Sequence, residues 1–257
     1  MSNAYRTKNS TGLINKNKKI NFSFNGHTYH GYEGDTLASA LISNGIHLIG
    51  RSFKYHRPRG FLGVGVEEPN AMVQLHEGNK SEPNIIATEV ELVEGLKAKS
   101  QNCWPSVQFD IGEVNNLLNR FFPAGFYYKT FMWPKSFWMK IYEPFIRKAA
   151  GMGVAPLQPD PDRYEHNYEH CDVLVVGSGP SGLASALAAA KNGARVILAE
   201  DKANFGGSLL TDEVTIGNMS GKEWANDTVA QLKSLPNVLL KKRSQVFGYY
   251  DHNMTVM

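Results

Sequence analysis

Cysteine and long apolar runs are scarce in this chain. Its 257 residues include two cysteines, Cys103 and Cys171, far apart in the sequence. Two distant cysteines cannot build a disulfide framework, and they indicate a reducing compartment. The amino-terminal residues are polar and lack a signal-peptide core, and no run is apolar enough to cross a bilayer. The sequence therefore predicts a cytoplasmic protein with no membrane segment.

A strong excess of charge is also missing. With 27 basic and 24 acidic residues, the net charge is +3, which is too small and too dispersed to predict nucleic-acid binding. Metal-ligand clusters are equally scarce. Tyr164, His166, Tyr168 and His170 alternate, but no second group of ligands accompanies them, and we predict no metal site.

The most informative segment is a glycine-rich turn between a buried-strand pattern, residues 172–176, and a helix. Gly177 permits a tight turn, Gly179 lets a pyrophosphate approach the backbone, and Gly182 allows close helix packing. A second strand ends at Glu200, whose carboxylate can accept hydrogen bonds from the ribose hydroxyls of an adenosine. This spacing predicts a dinucleotide site.

The motif does not distinguish FAD from NAD, because both contain the same adenosine diphosphate. Glu200 argues against NADP, since a carboxylate would repel the 2′-phosphate. The nearby cations Arg195 and Lys202 keep that alternative open, and Asp201 could share the role of Glu200.

The amino-terminal part has the pattern of a β-grasp domain of the plant-type ferredoxin class. An alternating strand, residues 20–24, is followed by Asn25-Gly26 and a returning strand to Tyr32. A helix capped by Asp35 or Thr36 follows. Further strands are predicted at residues 70–76 and 85–93.

The loop after this helix, residues 51–60, contains no cysteine, so the sequence predicts that it holds no iron–sulfur cluster. It is rich in cations instead. Three interpretations stay open for it: an anion-binding loop, a subunit contact, or a structural loop with solvated charge. The residues concerned are Arg51, Lys54, His56, Arg57 and Arg59.

An aromatic-rich segment, residues 121–145, joins the two parts and could clamp domains, contact a partner or line a pocket. The expected fold is thus an α+β β-grasp without a cluster, followed by an α/β Rossmann-type nucleotide-binding domain that is incomplete at the carboxyl terminus. The predicted divisions are a polar tail at 1–19, the β-grasp at 20–100, the connector at 101–168 and the start of the nucleotide-binding domain at 169–257.

Several longer motifs carry a specific resemblance. The segments RSFKYHRPRG, GFYYKTFMWP, HCDVLVVGSGPSGLASALAAA, GGSLL and VFGYYDHN resemble the amino-terminal part of the alpha subunit of heterotetrameric sarcosine oxidases. The similarity extends from about Ile20 to the last residue. Because the family's alpha chain is several-fold longer, the resemblance implies a fragment or a truncated product.

The resemblance implies an oxidoreductase complex that demethylates sarcosine to glycine with tetrahydrofolate and oxygen, giving methylenetetrahydrofolate and hydrogen peroxide. It implies NAD in the nucleotide domain, FAD and FMN elsewhere in the complex, and partners in the beta, gamma and delta subunits. This piece alone is expected to be inactive, and we assign it no catalytic residue.

Family contacts to NAD transfer to Ser181, to the Glu200-Asp201-Lys202 sequence, and to Ser208 and Val246. Two positions depart from the family pattern, which has an Asp-Glu-Arg type sequence after the second strand and a small apolar residue at position 181. Lysine in place of arginine loses a planar fork for bidentate contacts.

Two other functions stay open. One is an FAD-dependent dehydrogenase subunit of the opine, proline or cyanide-forming type, which would be favoured by cluster cysteines. The other is a noncatalytic scaffold in which any nucleotide is structural.

Overall fold

The computed structural model describes residues 5–7, 12–121, 125 and 131–257. The chain divides into two compact units, one formed by residues 1–10 and 14–163 and the other by residues 11–13 and 164–257. Much of the predicted aromatic segment and part of the polar tail lie outside the described residues. The domain boundaries predicted at residues 100 and 168 stay predictions.

The first unit contains a five-stranded mixed sheet. Its strand order is β2, β1, β7, β5, β6, with β1 and β7 parallel and the other neighbours antiparallel. The elements are β1 (Asn15–Phe24), β2 (His27–Glu33), α1 (Leu37–Ser43), β3 (Gly50–Arg51), β4 (Pro58–Arg59), β5 (Met72–Leu75), β6 (Glu82–Ile86), β7 (Lys97–Ser100), α2 (Val114–Leu117) and α3 (Glu143–Ala149).

Local sequence explains the first hairpin and its helix. Asn25 and Gly26 both have positive φ, 50° and 80°, which is the geometry of a two-residue turn between twisted strands. Thr36 caps α1 in a capping box with Ser39. Alternate side chains of β1, including Phe22, pack with the buried face of α1 to form the core.

Several strands differ from the prediction. Strand β1 begins at Asn15, within the segment predicted as a polar tail, rather than at residue 20. The strand predicted at 85–93 runs from 82 to 86. The Ala87 carbonyl accepts the N–H of Ala38, and the Glu89 N–H donates to the Ile86 carbonyl in a turn, so the chain leaves the sheet there. Strand β7 is absent from the prediction. Its Lys97-Ala98-Lys99-Ser100 sequence is mostly polar, and its place is set by its partners β1 and β5.

The long loop between α1 and β5 is organised around one buried acid, Glu68, which is 2% exposed. Its Oε2 accepts the N–H groups of Leu62 and Gly63 at 2.6 and 2.7 Å. Its Oε1 accepts those of Asn70 and Ala71 at 2.7 and 3.1 Å. Burial raises the pKa of Glu68, but the four backbone hydrogen bonds outweigh burial and hold the pKa below its ordinary value.

The second unit is built on a parallel three-stranded sheet with the order β12, β9, β8. A helix connects each strand to the next, as in α/β folds. The elements are β8 (Val173–Val176), α4 (Pro180–Lys191), β9 (Val196–Glu200), β10 (Thr215–Ile216), β11 (Met219–Ser220), α5 (Gly221–Ser234), β12 (Val238–Lys242), β13 (Gly248–Tyr249) and β14 (Thr255–Val256).

The central strand β9 is buried along its whole length, and α4 packs Leu183 and Ala186 into the core of this unit. Ser220 begins α5 with a capping box to Glu223. Across the described part of the chain, every helix is too short or too polar to cross a bilayer.

We expect Glu68→Gln to destabilise the first unit by about 2–3 kcal/mol, because an amide cannot accept four N–H bonds as a carboxylate does. The lowered pKa makes this contribution complete above the ordinary glutamate pKa, and the contribution is lost as the pH falls through the lowered value of the folded state. Urea denaturation should therefore show a difference between wild type and variant that shrinks in acid.

The matched control is Glu67→Gln at the exposed neighbouring position. Hydrogen exchange should accelerate in Glu68→Gln at the amides of residues 62, 63, 70 and 71 and stay unchanged in the control. Equal stability of the two variants at neutral pH would contradict this role of Glu68.

Candidate functional site

The glycine turn of the second unit leads from β8 into α4. Gly177 has φ +89°, and its N–H donates to the carbonyl of Ala199 at 2.8 Å, which ties the turn to β9. Gly179 is the N-cap of α4. A Cβ at Gly182 would clash with the carbonyl oxygen of Gly177, so the helix approaches the turn as closely as predicted.

The space above this turn is open. A Cβ built at Gly177 or at Gly179 meets no atom within 4 Å. No side chain caps the first turn of α4, and that turn contains no acid. Helix N-termini favour anions because their N–H groups and the helix dipole point at the ligand. The turn can therefore receive a phosphate group.

Glu200 ends β9 beside this turn and is buried. Its Oε2 accepts the backbone N–H of Ser178 at 2.8 Å and also the Ser178 hydroxyl. Its Oε1 accepts the N–H of Lys202 at 3.0 Å. Burial raises the pKa of Glu200, but its hydrogen bonds, with the Asp201 side chain and with Ser178 and Lys202, leave the pKa below its ordinary value. The carboxylate is thus favoured in its charged form.

A second pair of glycines lies against the same turn. The N–H of Gly206 donates to the Ser178 hydroxyl at 3.0 Å, and a Cβ at Gly207 would lie 3.0 Å from the Cα of Gly179. Ser208 follows within the 3-10 helix Gly207–Leu210. The loop after β9 is therefore brought next to the predicted phosphate position.

The other predicted contact residues are less buried than Glu200. Ser181 is exposed in the first turn of α4, and the exposed Asp201 and Lys202 form an ion pair at 3.6 Å. Val246 is half-buried. The residue that sequence reasoning left without a role is Ser178. Its position between Gly177 and Gly179, next to the strand that ends in Glu200, could have indicated its role.

The cationic loop of the first unit is largely tied to protein groups. Arg51 is buried and donates to the carbonyls of Val107, Gln108 and His56 and to the Glu113 carboxylate. The His56 Nδ1 lies 2.6 Å from Oδ2 of the buried Asp110. Arg51 and His56 thus support the structural interpretation of this loop.

Two family models match the chain. One is described as a 2Fe-2S iron-sulfur cluster binding domain and matches residues 17–103. The other is described as an FAD dependent oxidoreductase and matches residues 172–234. The two compact units therefore correspond to a ferredoxin-like part and an FAD-oxidoreductase-type part.

Curated relatives agree with the resemblance seen in the motifs. Sarcosine oxidase subunit alpha of Rhizobium meliloti (strain 1021) is 55% identical over 243 residues, which is 95% of this chain and 25% of that protein. The same subunit of Corynebacterium sp. (strain P-1) is 32% identical over 95% of this chain and 21% of that protein. The predicted resemblance to the amino-terminal part of these subunits is confirmed. The chain spans about a fifth to a quarter of their length.

A solved structure shares the overall fold. The crystal structure of L-proline dehydrogenase from P. horikoshii matches with a TM-score of 0.51 and 18% identity, over 96% of this chain and 36% of that chain. At this identity the match supports the fold and carries no further argument.

These matches contradict the predicted cofactors, which were NAD and no iron–sulfur cluster. The nucleotide part matches an FAD family, and the amino-terminal part matches a 2Fe-2S family. The glycine turn could not make this choice, because FAD and NAD present the same adenosine diphosphate to it. The prediction of no cluster used only the absence of cysteine from residues 51–60, whereas the family match extends over residues 17–103.

The donors present do not fit a cluster. A [2Fe–2S] cluster is held by four thiolates, whereas Cys103 belongs to the first unit and Cys171 to the second. Within the described residues, no group of three or more His, Cys, Asp or Glu side chains could hold a metal ion.

The donors do fit the adenosine diphosphate half of FAD. A Cβ at Gly177 or Gly179 would meet no atom within 4 Å, no described side chain caps the helix N-terminus, and a buried carboxylate stands at the end of the adjacent strand. Phosphate would meet the turn, and ribose hydroxyls would meet Glu200.

We expect Gly182→Ala to destabilise the second unit by about 1–3 kcal/mol or more, because its Cβ would clash with the Gly177 carbonyl. The control is Gly179→Ala, where the added methyl enters open space and φ is −63°. Thermal unfolding of the whole chain followed by scanning calorimetry measures both. Equal midpoints for the two variants would contradict the close-packing role of Gly182.

Proposed function

We propose that this chain is the amino-terminal part of a sarcosine oxidase alpha subunit and that its second unit binds the adenosine diphosphate half of FAD. Identities of 55% and 32% to two alpha subunits, each over 95% of this chain, support the first part. The match to FAD dependent oxidoreductases at residues 172–234 supports the second. The main support for the proposed binding site is the open glycine turn beside the buried Glu200 carboxylate.

In this proposal the second unit is the start of a Rossmann-type domain, with β8, α4 and β9 as its first βαβ unit. Bound FAD would supply two-electron redox chemistry. The chain's own residues bind and orient it: Gly177 and Gly179 leave room for the pyrophosphate, and Glu200 accepts the ribose hydroxyls.

The wider role rests on the relatives. We propose that the whole protein works in a complex that oxidises sarcosine to glycine, transfers the one-carbon unit to tetrahydrofolate and reduces oxygen to hydrogen peroxide. Beta, gamma and delta subunits are the proposed partners, and the cytoplasm is the proposed location. Ser181, Asp201, Lys202, Ser208 and Val246 remain proposed nucleotide contacts.

The dehydrogenase alternative has less support. The likeness to L-proline dehydrogenase is at 18% identity, against 55% for the sarcosine oxidase subunit, and it informs the fold alone.

We expect the full chain to bind FAD and Gly179→Ala to weaken that binding by about tenfold or more, because the methyl group occupies the space proposed for the pyrophosphate. Equilibrium titration with FAD, followed by the quenching of flavin fluorescence, measures the affinity. The control is Gly12→Ala, at an exposed glycine where a Cβ also meets no atom within 4 Å.

Glu200→Ala tests the second contact and should also weaken FAD binding by about tenfold or more. A wild-type chain that does not bind FAD would contradict the proposed function. Unchanged affinity in both Gly179→Ala and Glu200→Ala would contradict the proposed site.

A further inference from the structure

Ser178 is the residue that joins the parts of the candidate site. It lies between the first two motif glycines and is completely buried. Its backbone N–H and its hydroxyl both donate to the same oxygen of Glu200. Its hydroxyl oxygen accepts the N–H of Gly206 at 3.0 Å. One small side chain therefore connects the glycine turn, the end of β9 and the loop that follows β9.

The first consequence concerns the Glu200 carboxylate. A carboxylate oxygen has about two acceptor positions, and both of those on Oε2 are used by Ser178. Rotation of the carboxylate would break these two bonds at a site closed to water. Ser178 thus fixes which oxygen faces inward, and it leaves the Oε1 side, where Lys202 donates, as the side that a ribose would meet.

The second consequence concerns the loop. Gly206 has φ +134°, a backbone conformation that glycine alone adopts readily. Gly207 then lies against Gly179, where the pyrophosphate is proposed to bind. The Ser178 hydroxyl satisfies the N–H of Gly206 in this conformation, so it holds the loop beside the turn.

We infer that Ser178 is a positioning residue for the nucleotide, which fixes the Glu200 carboxylate toward the adenosine ribose and the Gly206 loop toward the pyrophosphate. This inference rests on the proposed function, because it assigns Ser178 a role in the same site. Ser178 acts through Glu200 and Gly206 and needs no contact with the ligand itself.

The test is a thermodynamic cycle between the protein and the ligand. The full chain, as wild type and as Ser178→Ala, is titrated with FAD and with the FAD analogue that lacks the 2′-hydroxyl of the adenosine ribose. The matched control is Ser185→Ala, the same substitution at an exposed position of α4.

We expect Ser178→Ala to weaken FAD binding by about tenfold, because a carboxylate that is no longer held must be ordered on binding. The same substitution should weaken binding of the analogue by a smaller factor, since one of the ribose hydroxyls that Glu200 would hold is already missing. Ser185→Ala should leave both affinities unchanged.

A purely structural role predicts equal losses for the two ligands, and equal losses would overturn the inference. Unchanged FAD affinity in Ser178→Ala would also overturn it. If wild type binds FAD and Glu200→Ala does not, either of these two outcomes in Ser178→Ala would contradict the role of Ser178 and leave the proposed function standing. Unchanged affinity in Glu200→Ala would instead remove the ribose contact on which the inference rests.

A second variant covers a failure of Ser178→Ala to fold. Ser178→Cys keeps a side chain of similar shape with a much weaker hydrogen-bonding group. Ser178→Cys should also weaken FAD binding more than analogue binding, and both losses of affinity should be smaller than in Ser178→Ala. Wild-type affinity for FAD in folded Ser178→Cys would overturn the role of the hydroxyl.

Discussion

A buried carboxylate has to be surrounded by hydrogen-bond donors, and this requirement organises both units of the chain. Glu68 collects four backbone N–H groups from a loop that has little regular structure of its own. Glu200 collects bonds from the glycine turn and from its own following loop. In each case the acid lies where several segments meet, so satisfying one charge determines the course of several pieces of backbone.

The two acids differ in what they leave accessible. Glu68 has both oxygens engaged by its own loop, which makes it a structural group. Glu200 also has both oxygens engaged, Oε2 by Ser178 and Oε1 by the Lys202 N–H, but it stands next to an open space at a helix N-terminus. The same physical requirement thus produces a loop anchor in the first unit and a candidate ligand contact in the second.

Sequence predicted the parts whose causes are local. The Asn25-Gly26 hairpin and the glycine turn follow from residues that tolerate positive φ, and α1 follows from its cap. Strand β7 was not predictable in this way, because its polar sequence gains its place from two partners distant in the chain. The role of Glu68 was hidden for the same reason, since its donors come from both ends of a loop. The choice between FAD and NAD depends on the part of the ligand that lies beyond the turn, and the motif contains no information about it.

The backbone under the open space of the glycine turn is held by contacts within the protein. The Gly177 N–H is bonded to the Ala199 carbonyl, and Ser178 holds Glu200. A ligand that fits would therefore lose little free energy to loop ordering. Its association rate would be set by diffusion and orientation, and differences in affinity among similar ligands would be found in their dissociation rates.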